Sequence, residues 1–267
     1  MSQTISGQLR KMTHEADMPV QYFLSLDDEP YPLTSEVGNR VTMKFTGKIT
    51  CIECGRRIKK TYSQGYCFPC TRDLPENDIC GVRPEKCQHD KGNDADREFY
   101  EKYCNIDHFV YLSQTSGVKV GVTRHYNIPS RWIDQGAVKA LIIAKVPRRI
   151  LSGQIEIVLA KKISDRTNWR KMLLGQIEDV DFPAMREKMI ECIPEDLQQY
   201  ALHEEEVQSF AYPVESVPGK IKSHNLDKEN EFTEKLTGIK GQYLIFENRV
   251  INLRKYAGYH MEFTFEE

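Results

Sequence analysis

The sequence predicts an α+β protein that combines a zinc ribbon with a β-β-α-β-α domain, while strands at its N- and C-terminal ends pair into one further β-domain. Three observations predict this. Seven of the eight cysteines lie between Cys51 and Cys104. Strand-type and helix-type runs alternate after His108, and both ends of the chain show the apolar alternation of strands. At 267 residues and 40% hydrophobic, the chain is long enough to bury a full core.

The first cysteine group consists of two CxxC pairs, Cys51 with Cys54 and Cys67 with Cys70, separated by twelve residues. This spacing is typical of a zinc ribbon, in which four thiolates close a tetrahedral site and leave no position for a substrate. We therefore expect structural Zn²⁺ at these four residues.

A disulfide framework is the alternative, and it would require an oxidising compartment. The N-terminus lacks a basic region followed by an apolar run, and no segment approaches the roughly 18 apolar residues of a membrane helix. We therefore expect a cytoplasmic protein with no membrane partner, and such a setting favours zinc over disulfides.

A second zinc is predicted from Cys80, Cys87, Cys104 and His108, whose spacing is wider than that of a knuckle. His89 is an alternative nitrogen ligand. In the competing interpretation, Cys80 and Cys104 are small buried apolar side chains, the usual fate of an unligated cysteine. Cys192, isolated in a helical segment, is predicted to be of this kind.

Charge is distributed unevenly along the chain. The net charge is −2, but residues 119–172 carry twelve Lys and Arg against three acids, a balance of +9 that leaves −11 for the remainder. A basic segment within an acidic chain is what a nucleic-acid site produces, because phosphate attraction and counterion release act locally. A solvated basic face would have the same composition.

Strand-type runs occupy both ends, and neither end has enough strands for a sheet of its own. We therefore expect the termini to share one β-domain. A helical pattern over 183–206, interrupted at Pro194, separates the C-terminal strands from the centre. The expected organisation is an N-terminal β segment 1–50, a zinc-binding region 51–106, the β-β-α-β-α domain 107–172, a helical segment 173–212 and a C-terminal β segment 213–267.

The central domain is predicted from local patterns. A hairpin is followed by a helix that begins near Pro129 and ends at Gly136, and then by a strand and a longer helix. The two strands of the hairpin, the third strand and the longer helix are His108–Leu112, Val118–Val122, Lys139–Lys145 and, approximately, Arg149–Lys162.

This order and its residues resemble the GIY-YIG endonuclease domain over roughly residues 107 to 170. Phe109-Val110-Tyr111 stands for the family's first motif, and Lys119-Val120-Gly121 with Thr123 stands for its second. Arg131 matches the arginine of the first helix, and Glu156 matches the metal-binding glutamate of a later helix. The sequence departs from the family at Lys119, where a second tyrosine is expected, and Phe-Val replaces Gly-Ile.

The resemblance implies hydrolysis of a phosphodiester, which needs a base, a cation at the oxyanion and help for the leaving oxygen. Glu156 would hold one Mg²⁺ or Mn²⁺, and Arg131 would clamp the scissile phosphate. Tyr111 would relay or accept a proton, Lys119 would polarise the phosphate, and His125 is a substitute base. Each also has a structural interpretation. Tyr111 can cap the hairpin at the surface, Glu156 can be solvated, and Arg131 can pair with Asp134.

A second resemblance covers most of the chain and concerns an uncharacterised bacterial family described only as a domain of unknown function. It implies no activity. It rests on four segments: Gln64–Cys70, Lys119–Arg124, Arg131–Ala137 and Gly238–Ile245.

Three functions therefore remain open. The first is metal-dependent cleavage of RNA or DNA. The second is nucleic-acid binding without catalysis, with Tyr62, Tyr66 and Phe68 of the ribbon stacking on bases. The third is a protein-interaction adaptor whose basic segment meets an acidic protein partner. The sequence lacks a Walker phosphate loop, a Rossmann fingerprint and a GxSxG elbow, which argues against nucleotide hydrolysis, dehydrogenases and α/β-hydrolases.

For either nucleic-acid function, the residues expected to bind the nucleic-acid backbone are Arg124, Arg148, Arg149, Lys161 and Lys162.

Overall fold

The computed structural model describes residues 2–163 and 167–266. These form two compact units. One contains the chain up to Asp73 and from Ala211 onward, and the other is Leu74–Phe210. Asp165, one of the three acids counted in the basic segment, lies outside the described residues.

Both units combine short helices with antiparallel strands, so the predicted α+β class is confirmed. The strands are β1 Ser2–Gln8, β2 Thr13–Glu15, β3 Gln21–Leu26, β4 Glu29–Pro32, β5 Arg40–Ile49, β6 His108–Gln114, β7 Val118–Arg124, β8 Lys139–Val146, β9 Gln208–Ser209, β10 Glu231–Lys240, β11 Tyr243–Phe246, β12 Val250–Asn252 and β13 Tyr259–Glu266. The helices are α1 Phe68–Asp73, α2 Asp94–Tyr103, α3 Ser130–Asp134, α4 Arg149–Leu159, α5 Trp169–Leu173 and α6 Phe182–Ile190.

The first unit is built on a six-stranded sheet in the order β1-β13-β5-β10-β11-β12. The C-terminal strand β13 lies between the N-terminal strands β1 and β5, so the predicted sharing of one sheet by the termini is confirmed. Met261, Phe263 and Phe265 alternate with more exposed residues along β13, which buries one face of the strand. A separate three-stranded sheet has the order β2-β3-β4.

The second unit contains the predicted β-β-α-β-α order, as β6, β7, α3, β8 and α4. Its sheet has the order β7-β6-β8-β9, and every pairing is antiparallel. Val110 and Leu112 of β6 pack in one apolar cluster with residues of α4 and α6. Tyr111, between them, packs in another cluster with Trp132 of α3. Because successive strand residues point to opposite faces, β6 is buried on both sides.

Within the described ranges, no helix combines the length and the apolar composition that crossing a bilayer requires. The predicted helical segment after residue 183 contains α6, followed by a 3-10 turn, Glu195–Tyr200, that begins just after Pro194. Proline at this point prevents continuation of the α-helix, as the sequence predicts.

Candidate functional site

The first cysteine cluster is formed by Cys51, Cys54, Cys67 and Cys70, whose sulfur atoms all lie within 4.8 Å of one another. Cys54 Sγ and Cys67 Sγ are 3.8 Å apart. A tetrahedron with Zn–S bonds of about 2.3 Å has edges of about 3.8 Å, so this spacing fits a Zn²⁺ ion bound by four thiolates. None of the eight cysteines, all within the described residues, forms a disulfide.

Local backbone geometry prepares this cluster for a metal. The chain turns after Cys51 through a hydrogen bond from Gly55 N to Cys51 O, and Gly55 has a φ of +67°, which favours glycine. Burial raises the pKa of Cys51, but backbone N–H groups of Cys54 and Cys67 that donate to its sulfur outweigh burial and lower the pKa to about 6. The thiolate, which is the form that binds zinc, is therefore favoured at neutral pH.

The second cluster is formed by Cys80, Cys87, His89 and Cys104, all buried, with ligand atoms within 4.8 Å of one another. His89 Nδ1 lies 3.8 Å from the sulfurs of both Cys80 and Cys104. A Cys₃His set also suits tetrahedral zinc. The fourth member of the group is therefore His89, the nitrogen that the sequence offers as an alternative, and His108 is not in the group. The sequence signal that favours His89 is its position two residues after Cys87.

His108 has a different environment. Its Nδ1 lies 2.8 Å from Ile106 O, and the side chain is fully buried at the start of β6. Burial, the largest effect, lowers the pKa of His108 to about 4. The imidazole is therefore neutral at physiological pH and acts as a packed polar group of the strand.

Short turns and one capped helix build the second cluster. Cys80 and His89 lie in separate 3-10 turns, and Cys104 is the C-cap of α2. The helix begins with a capping box, in which Asn93 and Asp96 exchange side-chain to backbone hydrogen bonds of 3.1 Å. With so little regular structure between residues 74 and 93, a bound metal is the main candidate for holding this segment together.

A cavity of about 360 Å³ opens in the second unit, and it is lined by four of the five catalytic candidates: Tyr111, Lys119, Arg131 and Glu156. They come from β6, β7, α3 and α4 respectively. The fifth candidate, His125, is not among the lining residues. Its Nδ1 lies 3.2 Å from Asp107 O on an exposed turn, and its ring contacts Tyr126.

Tyr111 is completely buried, so its interpretation as a surface cap of the hairpin is wrong. Its ring meets Trp132 edge to face, with centroids 5.8 Å apart, and Oη donates a long hydrogen bond of 3.4 Å to Gln135 Oε1. The glycine of the second motif makes room for it, because a Cβ on Gly121 would stand 2.6 Å from Tyr111 Oη.

Burial is the largest cause of a raised pKa at Tyr111. The positive charge of Arg131 and the side-chain hydrogen bonds with Arg131 and Gln135 oppose this shift, and the negative charge of Glu156 adds to it. Tyr111 is therefore a protonated hydroxyl at neutral pH and is suited to donate a hydrogen bond.

The second cysteine cluster packs against α4, the helix that carries Glu156. Arg149 N donates to Cys104 O at 2.8 Å, and the Arg149 guanidinium donates to Cys80 O at 2.6 and 3.1 Å. Gly153 allows a closer contact, since a Cβ there would lie 2.2 Å from Glu85 N. The segment between Cys80 and Cys87, called the cluster loop below, also supplies Gly81, Val82 and Pro84 to the cavity wall.

The five residues that are expected to bind the nucleic-acid backbone fall into two groups. Arg124 and Arg149 line the cavity, but each guanidinium is already bound to main-chain carbonyls, Arg124 Nε to Tyr103 O at 2.9 Å and Arg149 to Cys80 O. Arg148, Lys161 and Lys162 are exposed near the two ends of α4. Gln135 and Asn127, which were not among the predicted site residues, also line the cavity.

The fold and the two ligand sets define an α+β protein with two cysteine-rich clusters suited to structural zinc. The chain belongs to the family described as protein of unknown function (DUF2797), whose family model matches residues 38–261. The expectation of a family of unknown function that covers most of the chain is thereby confirmed. No curated protein and no solved structure matches the chain.

Proposed function

We propose that the protein binds nucleic acid at the cavity of the second unit and cleaves a phosphodiester there. One observation carries the proposal: Tyr111, Lys119, Arg131 and Glu156 line a single cavity although the first and the last are 45 positions apart in the chain. These are the positions that match the GIY-YIG motifs.

The charge of the cavity supports a phosphate ligand. Lys119, Arg124, Arg131 and Arg149 bring four cations to its lining, and Glu156 is the single acid among the lining residues. Arg131 is half-buried and carries the planar donor fork that matches two phosphate oxygens. Lys119 is only 8% exposed, so solvent screens the attraction between its ammonium group and a phosphate in the cavity only weakly.

The residues divide the chemical work. Arg131 orients the phosphate, Lys119 stabilises charge on its oxygens, and the Tyr111 hydroxyl donates a hydrogen bond to an oxygen of the reacting group. Glu156 is half-buried at the cavity and suits a hard divalent cation, because Mg²⁺ and Mn²⁺ accept one carboxylate together with phosphate oxygens and water. Such a cation would supply Lewis-acid stabilisation of the phosphate.

One observation favours a second candidate, binding without hydrolysis. Lys119 stands where the GIY-YIG domain has a tyrosine, and it adds a positive charge to the cavity that Glu156 also lines. A cation at that position can substitute for the electrostatic role of a metal while repelling the metal itself. The cavity would then hold a phosphate backbone without cutting it.

The test uses purified full-length protein with Mg²⁺ or Mn²⁺ and labelled single- and double-stranded DNA and RNA. We expect cleavage that falls at least about 100-fold in Glu156→Ala and in Arg131→Ala, the usual scale for loss of a transition-state contact. Glu191→Gln, an exposed acid elsewhere in the same unit, is the matched control and should cleave like the wild type.

The outcomes separate the candidates. Salt-sensitive binding that Arg131→Ala weakens, with no cleavage under any metal, supports the binder and contradicts the nuclease. Cleavage that persists in Glu156→Ala places the reaction elsewhere. If the protein neither binds nor cleaves nucleic acid, both candidates are contradicted and a protein partner becomes the candidate to test.

A further inference from the structure

Two aromatic rings are exposed beside the first cysteine cluster. Tyr62 is 52% and Phe68 is 54% exposed, in a chain that buries most of its large apolar side chains. Their ring centroids are 5.3 Å apart with an interplanar angle of 58°, so they form one surface. Exposed apolar surface is unfavourable in water, and a contiguous exposed patch marks a surface that binds a ligand or a partner.

The cluster holds the rings in place. Phe68 directly follows the ligand Cys67 and begins α1, and Tyr62 N donates to Tyr66 O at 3.0 Å across the turn that leads to Cys67. A bound metal would therefore fix both rings before any ligand arrives. This lowers the conformational entropy that binding costs.

Positive charge surrounds the rings. Residues 55–72 contain five cations, Arg56, Arg57, Lys59, Lys60 and Arg72, and no acid. Lys60 Nζ lies 5.1 Å from the Tyr62 centroid, and the Arg72 guanidinium carbon lies 5.9 Å from the Phe68 centroid. A zinc tetrathiolate adds about two negative charges, and Glu53 and Asp73 flank the segment, Asp73 in an ion pair with Arg72, so a net positive charge of about one is left.

A pocket of about 490 Å³ connects these features, with Tyr62, Phe68, Pro69 and Ile58 as apolar lining and Arg56, Lys59 and Lys60 as cations. Its chemistry selects a ligand that is both flat and polyanionic. Unpaired bases on a phosphate backbone meet both requirements, whereas duplex bases have their faces covered by stacking.

We propose that Tyr62 and Phe68, with Lys59 and Lys60, form a stacking platform for single-stranded nucleic acid on the first unit. The inference rests on the proposed function only for the class of ligand, because the platform and the cavity are in different units. Two consecutive bases stack on the rings while the lysines contact the phosphate between them and a neighbouring phosphate. Acidic peptides have no flat faces to offer the rings and bind less well.

The experiment measures fluorescence anisotropy of a labelled 12-nucleotide oligodeoxythymidine, its oligouridine counterpart and a 12-base-pair duplex, without Mg²⁺, on zinc-loaded full-length protein carrying Glu156→Gln. We expect single strands to bind tighter than duplex. Tyr62→Ala and Phe68→Ala should each weaken binding about tenfold or more, the scale of one lost stacking contact. Lys59→Gln with Lys60→Gln should flatten the salt dependence, with log K against log salt losing about 0.7 per contact removed.

Matched variants separate stacking from folding. Tyr62→Phe and Phe68→Tyr keep the rings and should bind like the parent protein, and Lys228→Gln removes an exposed lysine of the same unit without effect. Zinc content must stay unchanged in all variants. Equal binding by Tyr62→Ala, Phe68→Ala and the parent protein overturns the platform even if cleavage at Glu156 is established. Loss of binding in both, in a protein that never cleaves, keeps the platform and removes the nuclease.

Discussion

At the scale of single residues, Gly121 shows how a motif position is set by its neighbour. The position faces Tyr111, and an added Cβ would lie 2.6 Å from Oη and 2.7 Å from Cζ of that ring. Tyr111 has no space to retreat, because it is fully buried against Trp132. Glycine is therefore required here by packing, apart from any role in chemistry.

Gly121→Ala should destabilise the second unit by about 1–3 kcal/mol, the usual cost of overpacking a filled core. It should also displace Tyr111 and lower whatever binding or cleavage the cavity supports. Urea denaturation and the nucleic-acid assays would measure both effects. Gly219→Ala, where an added Cβ meets nothing within 4 Å, is the control and should change stability by no more than about 0.5 kcal/mol. A Gly121→Ala protein as stable as that control would contradict this account.

Lys240 shows the electrostatic cost of burial. The side chain is 6% exposed, its Nζ lies 5.2 Å from the Tyr212 ring centroid, and burial lowers its pKa from 10.5 to about 8. Below pH 8 the folded chain holds a poorly solvated charge. The unfolded chain binds the proton more tightly, so stability rises as pH increases from 8 to 10.5.

Lys240→Met should therefore stabilise the protein at pH 7 by about 2 kcal/mol, somewhat less than the full difference of about 3 kcal/mol that these two pKa values imply. The gain should shrink at pH 9.5, where the folded lysine is mostly neutral. Urea denaturation of both proteins at the two pH values measures it, with Lys228→Met as the exposed control. An equal effect at both pH values would show that packing rather than charge is responsible.

The sequence predicts individual site residues where local spacing carries the information. Seven cysteine ligands and the four cavity residues follow from motif order. His89 is only an alternative in the sequence, because His108 offers the same ligand atoms. The short spacing after Cys87 favours His89, and the turn before α2 places it beside the cysteines. Gln135 and Asn127 enter the cavity by tertiary packing, which no local pattern encodes.

At the scale of elements, α4 connects the second cysteine cluster with the cavity. One turn of the helix presents Gly153 to the backbone of Pro84 and Glu85, and the next turn carries Glu156. Arg149 at the helix N-terminus bonds to carbonyls of Cys80 and Gly81. Movement of the cluster loop would therefore move the helix that carries the carboxylate.

Gly153→Ala should force the helix away from the loop, because the contacts at 2.2 and 2.7 Å are with backbone atoms that cannot rotate aside. We expect the free energy of unfolding to fall by about 3 kcal/mol or more, and we expect zinc to leave one of the two sites faster. Competition with a colorimetric zinc chelator would resolve the two release phases. Gln154→Ala, on the exposed face of the same helix, should release zinc at the wild-type rate. Unchanged release from Gly153→Ala would separate the helix from the cluster.

The sequence predicts most elements of the centre, since β6, β7, α3, β8 and α4 each have a local apolar period. It does not predict sheet order in the first unit. Pairs such as Met43 with Phe263 join residues more than 200 positions apart, and the pattern of either strand fits many partners. Only the scarcity of strands at each end indicates that the termini must share a sheet.

At the scale of the whole molecule, the chain forms two compact units, and each contains one cysteine cluster. The first unit holds Cys51, Cys54, Cys67 and Cys70, and the chain leaves it after Asp73 and re-enters it at Ala211. The second unit holds the Cys₃His cluster. Each unit has its own buried core, so a metal bound at either cluster would stabilise the unit to which its ligands belong.

Wild-type protein should therefore contain two zinc ions, and Cys70→Ser and Cys104→Ser should each contain about one. Hydrogen exchange would show which unit loosens: Cys104→Ser should lose protection in β6, β7 and α4 while β5 and β13 stay protected, and Cys70→Ser should do the reverse. Cys192→Ser, outside both clusters, should keep two zinc ions and unchanged exchange. Loss of both metals from either single variant would mean that the clusters are coupled and that neither unit keeps its structure without the other.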